Sequence, residues 1–220
     1  MSEIDRTLLI ADLSGYTALT ETHGAMHASK IVLRFGRMAE ASLEPGVVIV
    51  DRVGDQVLCA GADPLAVLRT ALRLCTKVEI EPDFLGMQAG IHQGAVVQRE
   101  GRLFGSPLNL TARLTAHARS GQILCTETIA RAVGGFPGLS ARAMGERRFK
   151  NVSSPVAVFE LVRDDRRGQT SATDPVCRMR IDIERAATAI PFQGVTYHFC
   201  SHECGRLFSE APERYARPWG

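Results

Sequence analysis

The sequence predicts an α+β fold, in which helices cover a mainly antiparallel sheet. Two runs of β-branched residues flank Gly54-Asp55, a pattern typical of a β-hairpin. The segments 63–78 and 106–121 each begin with a capping residue and a proline and carry apolar residues at helical spacing, which predicts two helices. Because hairpins rather than strict strand–helix–strand units join the strands, we expect an α+β sheet and not a parallel α/β one.

The remaining elements follow from apolar runs and their periodicity. The predicted order is a strand at 8–11, one or two helices within 18–43, the hairpin at 46–61, the helix at 63–78, two strands around a tight turn at 87–102, the helix at 106–121, and strands at 122–126 and 155–162. Three cysteines isolated within apolar segments are expected to be buried, namely Cys59, Cys75 and Cys125.

The composition is that of a globular protein without a strongly charged surface. The net charge is +2 and 23% of the residues are charged, so no basic field for nucleic acid is expected. No apolar run approaches the ~20 residues that span a bilayer, and the first residues do not resemble a signal peptide. We therefore expect a cytoplasmic protein with neither a nucleic-acid nor a membrane partner.

A change in composition divides the chain into two unequal parts. The stretch from Arg163 to Pro175 is charged at first, then small and polar, and has no apolar periodicity. The sequence thus predicts a first domain at 1–162, a linker at 163–173 and a small second domain at 174–220.

Two acidic residues of the first part are candidates for a metal site. Asp12 follows the first predicted strand and Asp55 lies at the bend of the hairpin. If those strands are neighbours, the two carboxylates share a divalent cation, and hard oxygen ligands suit Mg²⁺ or Mn²⁺. The alternative is that Asp12 caps the next helix and Asp55 is an ordinary turn residue. Asn109 and Arg113, four apart on a predicted helix, project from one face and suit the orientation and neutralisation of a phosphate, the alternative being an ordinary solvated helix surface.

Five motifs in this order resemble the class III nucleotidyl cyclase catalytic domain. The resemblance covers residues 6–162, and the motifs are LLIADLSGYT, RVGDQVLCA, MQAGIHQGAVV, FGSPLNLTARL and RRFKNVSSPVAVFEL. It implies a ferredoxin-like nucleotidyl cyclase fold. It also implies a nucleoside triphosphate substrate, ATP or GTP, which is converted to a 3′,5′-cyclic nucleotide and pyrophosphate.

The same resemblance implies a role for each candidate residue. Asp12 and Asp55 match the aspartates that hold two Mg²⁺ or Mn²⁺ ions per active site. Asn109 matches the residue that positions the ribose, and Arg113 matches the one that stabilises charge on the α-phosphate. Family sites form between two catalytic domains, so a head-to-tail homodimer with two sites is implied.

The sequence departs from the family at the two positions that select the purine. Where the family has a lysine this chain has Asp51, and where it has an aspartate this chain has Arg102. In one interpretation the two residues keep a donor and an acceptor in exchanged places, and adenine still binds. In the other they pair with each other and close the purine pocket, which leaves a non-catalytic relative.

The tail carries the second cluster of candidate residues. Cys200 and Cys204 are four apart at the predicted start of a helix, so their sulfurs are expected to point the same way, towards that of Cys177. Three converging sulfurs suit Zn²⁺ or Cu⁺, with His198 or His202 as a candidate fourth ligand. The alternative is three reduced, buried cysteines without metal.

Residues 174–216 resemble the YHS domain, a small metal-associated module. The matching features are DPVCRM, YHFCS, Cys204, Phe208, Pro212 and Tyr215. The resemblance implies a treble-clef-like fold with cysteine-based metal binding.

Two functions therefore stand side by side. The first is a nucleotidyl cyclase in intracellular signalling whose YHS tail senses metal or redox state. The second is a catalytically degenerate, nucleotide- or metal-responsive regulatory protein on the same scaffold.

Overall fold

The computed structural model describes residues 3–164 and 171–216. The strands are β1 Ile4–Ser14, β2 Val47–Val53, β3 Gln56–Gly61, β4 Phe84–Arg99, β5 Arg102–Phe104, β6 Ile123–Thr126, β7 Leu139–Arg147, β8 Val156–Arg163, β9 Ser171–Thr173, β10 Met179–Asp182, β11 Thr188–Phe192 and β12 Val195–Phe199. The helices are α1 Tyr16–Glu40, α2 Pro64–Ile80, α3 Ser106–His117, α4 Glu127–Ala132, α5 His202–Glu210 and α6 Pro212–Tyr215.

The main sheet is antiparallel except at one pair of strands. Its order is β2-β3-β1-β4-β6-β8-β7, and only β4 and β6 run parallel among the strands of the described residues. The central pair β1 and β4 stays in register from Ile4 opposite Val96 to Ser14 opposite Gly86. This architecture confirms the predicted α+β fold with an antiparallel-rich sheet.

The helices cover both faces of the central strands. Ala89 and Ile91 of β4 belong to the same core as α1 and α2, whereas a Cβ atom on Gly90 would lie 2.7 Å from the backbone of α3. Successive side chains of a strand point to opposite faces, so α3 lies on the face opposite α1 and α2. Glycine at position 90 is what lets α3 approach the sheet so closely.

Several predicted boundaries were wrong. The first strand is longer than 8–11, because β1 pairs with β4 along its whole length. The interval 87–102 does contain two strands around a tight turn, but the turn lies near its end: β4 continues to Arg99, and Glu100 and Gly101, both with positive φ, form the turn before β5. The strand β7 and the helix α4 were not predicted at all.

Helix α1 consists of two helical segments. Gly24 interrupts it with φ 80° and ψ 162°, values that are not helical. The first segment, from Tyr16 to His23, therefore has its own C-terminal end. This is one of the two outcomes expected for 18–43.

The tail packs against the first part of the chain through both hydrogen bonds and apolar contacts. Strand β10 pairs with the start of β4, with Met179 opposite Leu85, and β9 pairs with β10. Buried residues of both parts form one continuous core. Strand β9 begins at Ser171, inside the predicted linker 163–173, and residues 165–170 of that linker lie outside the described residues.

The rest of the tail is a hairpin and two helices built around one aromatic residue. Strands β11 and β12 form the hairpin, and α5 and α6 follow it. Phe208 of α5 is fully buried and contacts the rings of Phe192, Tyr197, Phe199 and Tyr215. None of the helices in the described ranges has the length and apolar character needed to cross a membrane.

Candidate functional site

The structure brings Asp12 and Asp55 together. Asp12 lies near the end of β1, opposite Gln56 of β3 and Gln88 of β4. Asp55 lies in the turn between β2 and β3, which Gly54 makes with φ 59°. Gln88 donates from Nε2 to Oδ2 of Asp12 at 3.3 Å, and the two carboxyl groups are close enough that the charge of Asp55 raises the pKa of Asp12.

The acidic pair is electrostatically unfavourable when no cation is present. Burial and the neighbouring charge of Asp55 raise the pKa of Asp12 to about 6, and burial raises the pKa of Asp55. Among residues 3–164 and 171–216, no lysine or arginine forms an ion pair with either acid. Two close, partly buried carboxylates without a positive partner are the donor set that a divalent cation neutralises.

Asn109 and Arg113 lie together on the outer surface of α3. Thr111 and Thr115 face the sheet, and Thr115 donates from its hydroxyl to the carbonyl oxygen of Ile10 at 3.2 Å. Asn109 and Arg113 are exposed on the other side. Within the described part of one chain, neither residue contacts the acidic pair by a hydrogen bond or an ion pair.

Asp51 and Arg102 are both exposed and lie on strands that are close in space, β2 and β5. Oδ1 of Asp51 accepts a hydrogen bond from the backbone N–H of Arg52 at 2.8 Å. The described residues contain no ion pair between Asp51 and Arg102. Within the described part of one chain, Asp51 and Arg102 therefore do not pair with each other. The role of the two positions remains a prediction.

The three tail cysteines converge, as predicted. The Sγ atoms of Cys177 and Cys200 are 3.5 Å apart, and those of Cys200 and Cys204 are 3.7 Å apart. These distances are far longer than a disulfide bond of about 2.05 Å, and all three are free thiols. Hydrogen bonds from the other two thiols lower the pKa of Cys204 below its usual value.

The fourth member of the cluster is His23, and the expectation of His198 or His202 was wrong. Nε2 of His23 lies 3.5 Å from Sγ of Cys200 and 3.6 Å from Sγ of Cys204. His202 is exposed at the start of α5, where a residue two positions from Cys204 projects to a nearly opposite side of the helix. Nδ1 of His198 is buried with no hydrogen-bond partner in the described residues, but His198 is not part of the cluster.

Asp174 holds the backbone around the cysteine cluster in place through hydrogen bonds, a role that was not predicted from the sequence. Its side chain is fully buried. Oδ1 accepts hydrogen bonds from the backbone N–H groups of Val176 at 2.8 Å and Cys177 at 3.3 Å, and Oδ2 accepts from that of Cys200 at 2.8 Å. An aspartate just before Pro-Val-Cys is the signal that could have identified it, since aspartates often bind the backbone two residues on.

The tail also touches the turn that leads from β1 into α1. Gly15 adopts φ 95° in this turn, and a Cβ atom there would lie 2.3 Å from Cβ of Arg178. Arg178 itself has φ 68°. The backbone next to the cysteine cluster is therefore in direct contact with the segment that begins three residues after Asp12.

Comparisons with known proteins agree with this architecture. A family model of the YHS domain matches residues 172–219. The adenylyl cyclase CyaB from Pseudomonas aeruginosa superposes with a TM-score of 0.64 over 75% of this chain and 97% of that one, at 20% identity. The N-terminal region therefore has the fold of class III adenylate and guanylate cyclase catalytic domains, and a YHS domain follows it.

Two relatives are similar in sequence as well. An adenylate/guanylate cyclase/hydrolase from Silicibacter pomeroyi is 26% identical, with a TM-score of 0.61 over 74% of this chain and 99% of that one. The pH-sensitive adenylate cyclase of Mycobacterium tuberculosis is 32% identical over 167 residues, which are 74% of this chain and 41% of the relative. The chain thus spans less than half the length of that relative.

Proposed function

We propose that the protein is a nucleotidyl cyclase that acts as a homodimer. The ribose 3′-oxygen of ATP or GTP attacks the α-phosphorus, the bond to the bridging oxygen breaks, and pyrophosphate leaves. The observation that carries this proposal is the juxtaposition of Asp12 of β1 and Asp55 of the β2–β3 turn, which have no cationic partner in the described residues. Relatives named adenylate cyclase support the same reaction.

The acidic pair fits two Mg²⁺ or Mn²⁺ ions. When bound, such ions lower the pKa of the attacking hydroxyl and neutralise the triphosphate. Asp12 and Asp55 supply the hard oxygen ligands, and Gln88 holds one carboxylate in place. Gly15, three residues after Asp12, is the N-cap of α1 and provides no side-chain cap, so phosphate oxygens would be able to accept from the first N–H groups of the helix.

A second copy of the chain completes the site. Asn109 would orient the ribose and Arg113 would stabilise the charge that develops on the α-phosphate. Both residues are exposed to solvent and make no hydrogen bond or ion pair with the acidic pair within the described part of their own chain, as expected if they serve the partner's pair. Val53 lies two residues before Asp55, and Phe104 lies two residues before the start of α3. Of their surfaces 67% and 51% are exposed, which suits an interface between copies.

The base is selected, in this proposal, by Asp51 and Arg102. A carboxylate accepts from the amino group of adenine, and a guanidinium donates to a ring nitrogen. The double variant that combines Asp51→Lys with Arg102→Asp restores the family's arrangement of charges. If Asp51 and Arg102 bind the base, this variant should convert the nucleotide more slowly than the wild-type chain. If the exchanged charges impair binding of the base, the variant should convert it faster.

The first test is product formation. The purified chain is incubated with Mn²⁺ and ATP, or with GTP, and cyclic nucleotide and pyrophosphate are separated by chromatography. Asp12→Ala and Asp55→Ala should each lower the rate by at least about a hundredfold. Absence of product with both nucleotides, from a chain shown to be folded and dimeric, would overturn the proposal.

The second test addresses the shared site. Coexpressed Asp12→Ala and Arg113→Ala chains form heterodimers in which one of two sites is intact, so about a quarter of the wild-type rate should return. The matched control combines Asp12→Ala with Asp55→Ala. Here every site lacks one acid, and no activity should return. Equal rates for the two combinations would contradict a site built from two chains.

The second candidate function is a regulatory protein that binds nucleotide or metal without turnover. The observation that favours it is the exchange of charge at Asp51 and Arg102. A folded chain that binds Mn²⁺–ATP with a measurable affinity, and makes no product at any concentration, would support it.

A further inference from the structure

We propose that His23 of helix α1 is the fourth ligand of a tetrahedral zinc site whose other ligands are Cys177, Cys200 and Cys204. The metal would then cross-link the YHS tail to the first helix of the cyclase fold rather than stabilise the tail alone. The proposed cyclase reaction is not needed for this inference, and only the effect on catalysis rests on it.

Four distances within the cluster are close to those that one tetrahedral ion imposes. With Zn–S of about 2.3 Å and Zn–N of about 2.05 Å, tetrahedral angles place pairs of sulfurs about 3.8 Å apart and sulfur and nitrogen about 3.6 Å apart. The corresponding separations are 3.5 and 3.7 Å between sulfurs, and 3.5 and 3.6 Å from Nε2 of His23 to the sulfurs of Cys200 and Cys204. All four ligand atoms lie within 4.8 Å of one another.

The donor set and its surroundings also suit zinc. Three thiolates and one imidazole form a closed set typical of structural zinc sites. Cys177 and Cys204 are fully buried, so a bound ion would be shielded from solvent. Asp174 holds the backbone of Cys177 and Cys200 through three hydrogen bonds, which places the ligands before metal arrives.

The metal site would connect the tail to the catalytic region through the first segment of α1. His23 ends the first segment of α1, directly before the non-helical Gly24. Gly15, the residue that precedes this segment, packs against Arg178, the residue after the ligand Cys177. Loss of the metal would thus release both ends of the first segment of α1, whose N-terminus adjoins Asp12.

Metal binding by the reduced chain tests the ligand set without nucleotide. The untagged chain is titrated with Co²⁺ under anaerobic conditions, and Zn²⁺ affinity is measured by chelator competition. We expect one ion per chain, with the strong visible bands of tetrahedral Co²⁺ and sulfur-to-cobalt charge transfer. His23→Ala should weaken binding at least about tenfold and alter the visible bands, and millimolar imidazole should restore them in part.

Two matched variants provide the controls. His27→Ala removes the ring that lies 5.3 Å from that of His23 on the same helix, and His202→Ala removes the histidine nearest in sequence to Cys204. Both should bind Co²⁺ within twofold of the wild-type chain. Failure of the wild-type chain to bind stoichiometric metal, or an unchanged affinity and spectrum in His23→Ala, would overturn the proposal.

Thermal unfolding distinguishes a bridging site from a site confined to the tail. Zn²⁺ should raise the melting temperature of the wild-type chain and raise that of His23→Ala by clearly less. Equal shifts would show that His23 takes no part. Because no nucleotide is present, an inactive cyclase would leave these results unchanged, and the two proposals fail separately.

Discussion

The acidic pair at the end of β1 should destabilise the protein while no metal is bound. Burial and the charge of Asp55 raise the pKa of Asp12 from 3.8 to about 6. An acid whose pKa is higher in the folded than in the unfolded state must be ionised at a cost at neutral pH. Asp12→Asn removes that charge and keeps an oxygen to accept the hydrogen bond from Gln88, so it should stabilise the metal-free chain.

The magnitude follows from the size of the shift. The difference between 3.8 and about 6 is roughly two pKa units, and each unit corresponds to about 1.36 kcal/mol, which gives an upper limit of about 3 kcal/mol. Asp12 is only partly buried, so solvent screening reduces this value. We expect a gain of about 1–2 kcal/mol in the free energy of unfolding at pH 7–8.

The sign of the pH dependence is an independent check. Well below pH 3.8 the carboxyl group is protonated in both the folded and the unfolded state, so the variant and the wild-type chain should be equally stable. As pH rises from about 4 to 6 the unfolded chain loses the proton first, and the advantage of the variant should grow. Above about pH 6 the advantage should be constant.

Urea unfolding in EDTA, at fixed protein concentration, measures the difference. Asp5→Asn is the matched control, because Asp5 lies exposed at the other end of the same strand, and its effect should stay below about 0.5 kcal/mol. Saturating Mn²⁺ should reverse the order of stabilities, since only the wild-type chain keeps both ligands. An Asp12→Asn chain that is less stable than wild type in EDTA would refute the electrostatic reasoning.

Three further predictions concern packing and reactivity. Gly15→Ala should cost more stability than Gly46→Ala, by about 1–3 kcal/mol in urea unfolding, because both have positive φ but only the first new methyl would meet Arg178. Gly90→Ala should displace α3, lowering both the melting temperature and any cyclase rate, and an unchanged rate would contradict the placement of α3. Cys59, with its pKa raised to about 12 by burial, should resist a thiol reagent until the chain unfolds, which mass spectrometry after proteolysis can follow.

The fold could be predicted from the sequence to a large extent, because its signals are local. The cap of α2 is an example: Asp63 accepts hydrogen bonds from the backbone N–H groups of Leu65 and Ala66, as a capping aspartate before proline should. The length of β4 could not be predicted in this way. Its pairing with β1 across many residues, rather than any local turn preference, decides where it ends.

The same contrast between local signals and long-range contacts applies to the candidate sites. Residues a few positions apart on one helix, such as Asn109 and Arg113, share a face in any helix, so their grouping was determined by the sequence. The meeting of Asp12 with Asp55 required strands that happen to be neighbours, and the motif resemblance rather than the spacing pointed to it.

The sequence by itself determined which chemical groups this protein has and which of them lie within a helical turn of each other, because backbone geometry sets those short distances. Only the tertiary structure decided that His23, 177 residues before Cys200, lies beside its sulfur. That contact brings together the first segment of α1 and the tail, which is held against the sheet by the pairing of β10 with β4. Such a meeting of distant segments depends on the burial of apolar surface from both parts of the chain, which no local sequence signal encodes.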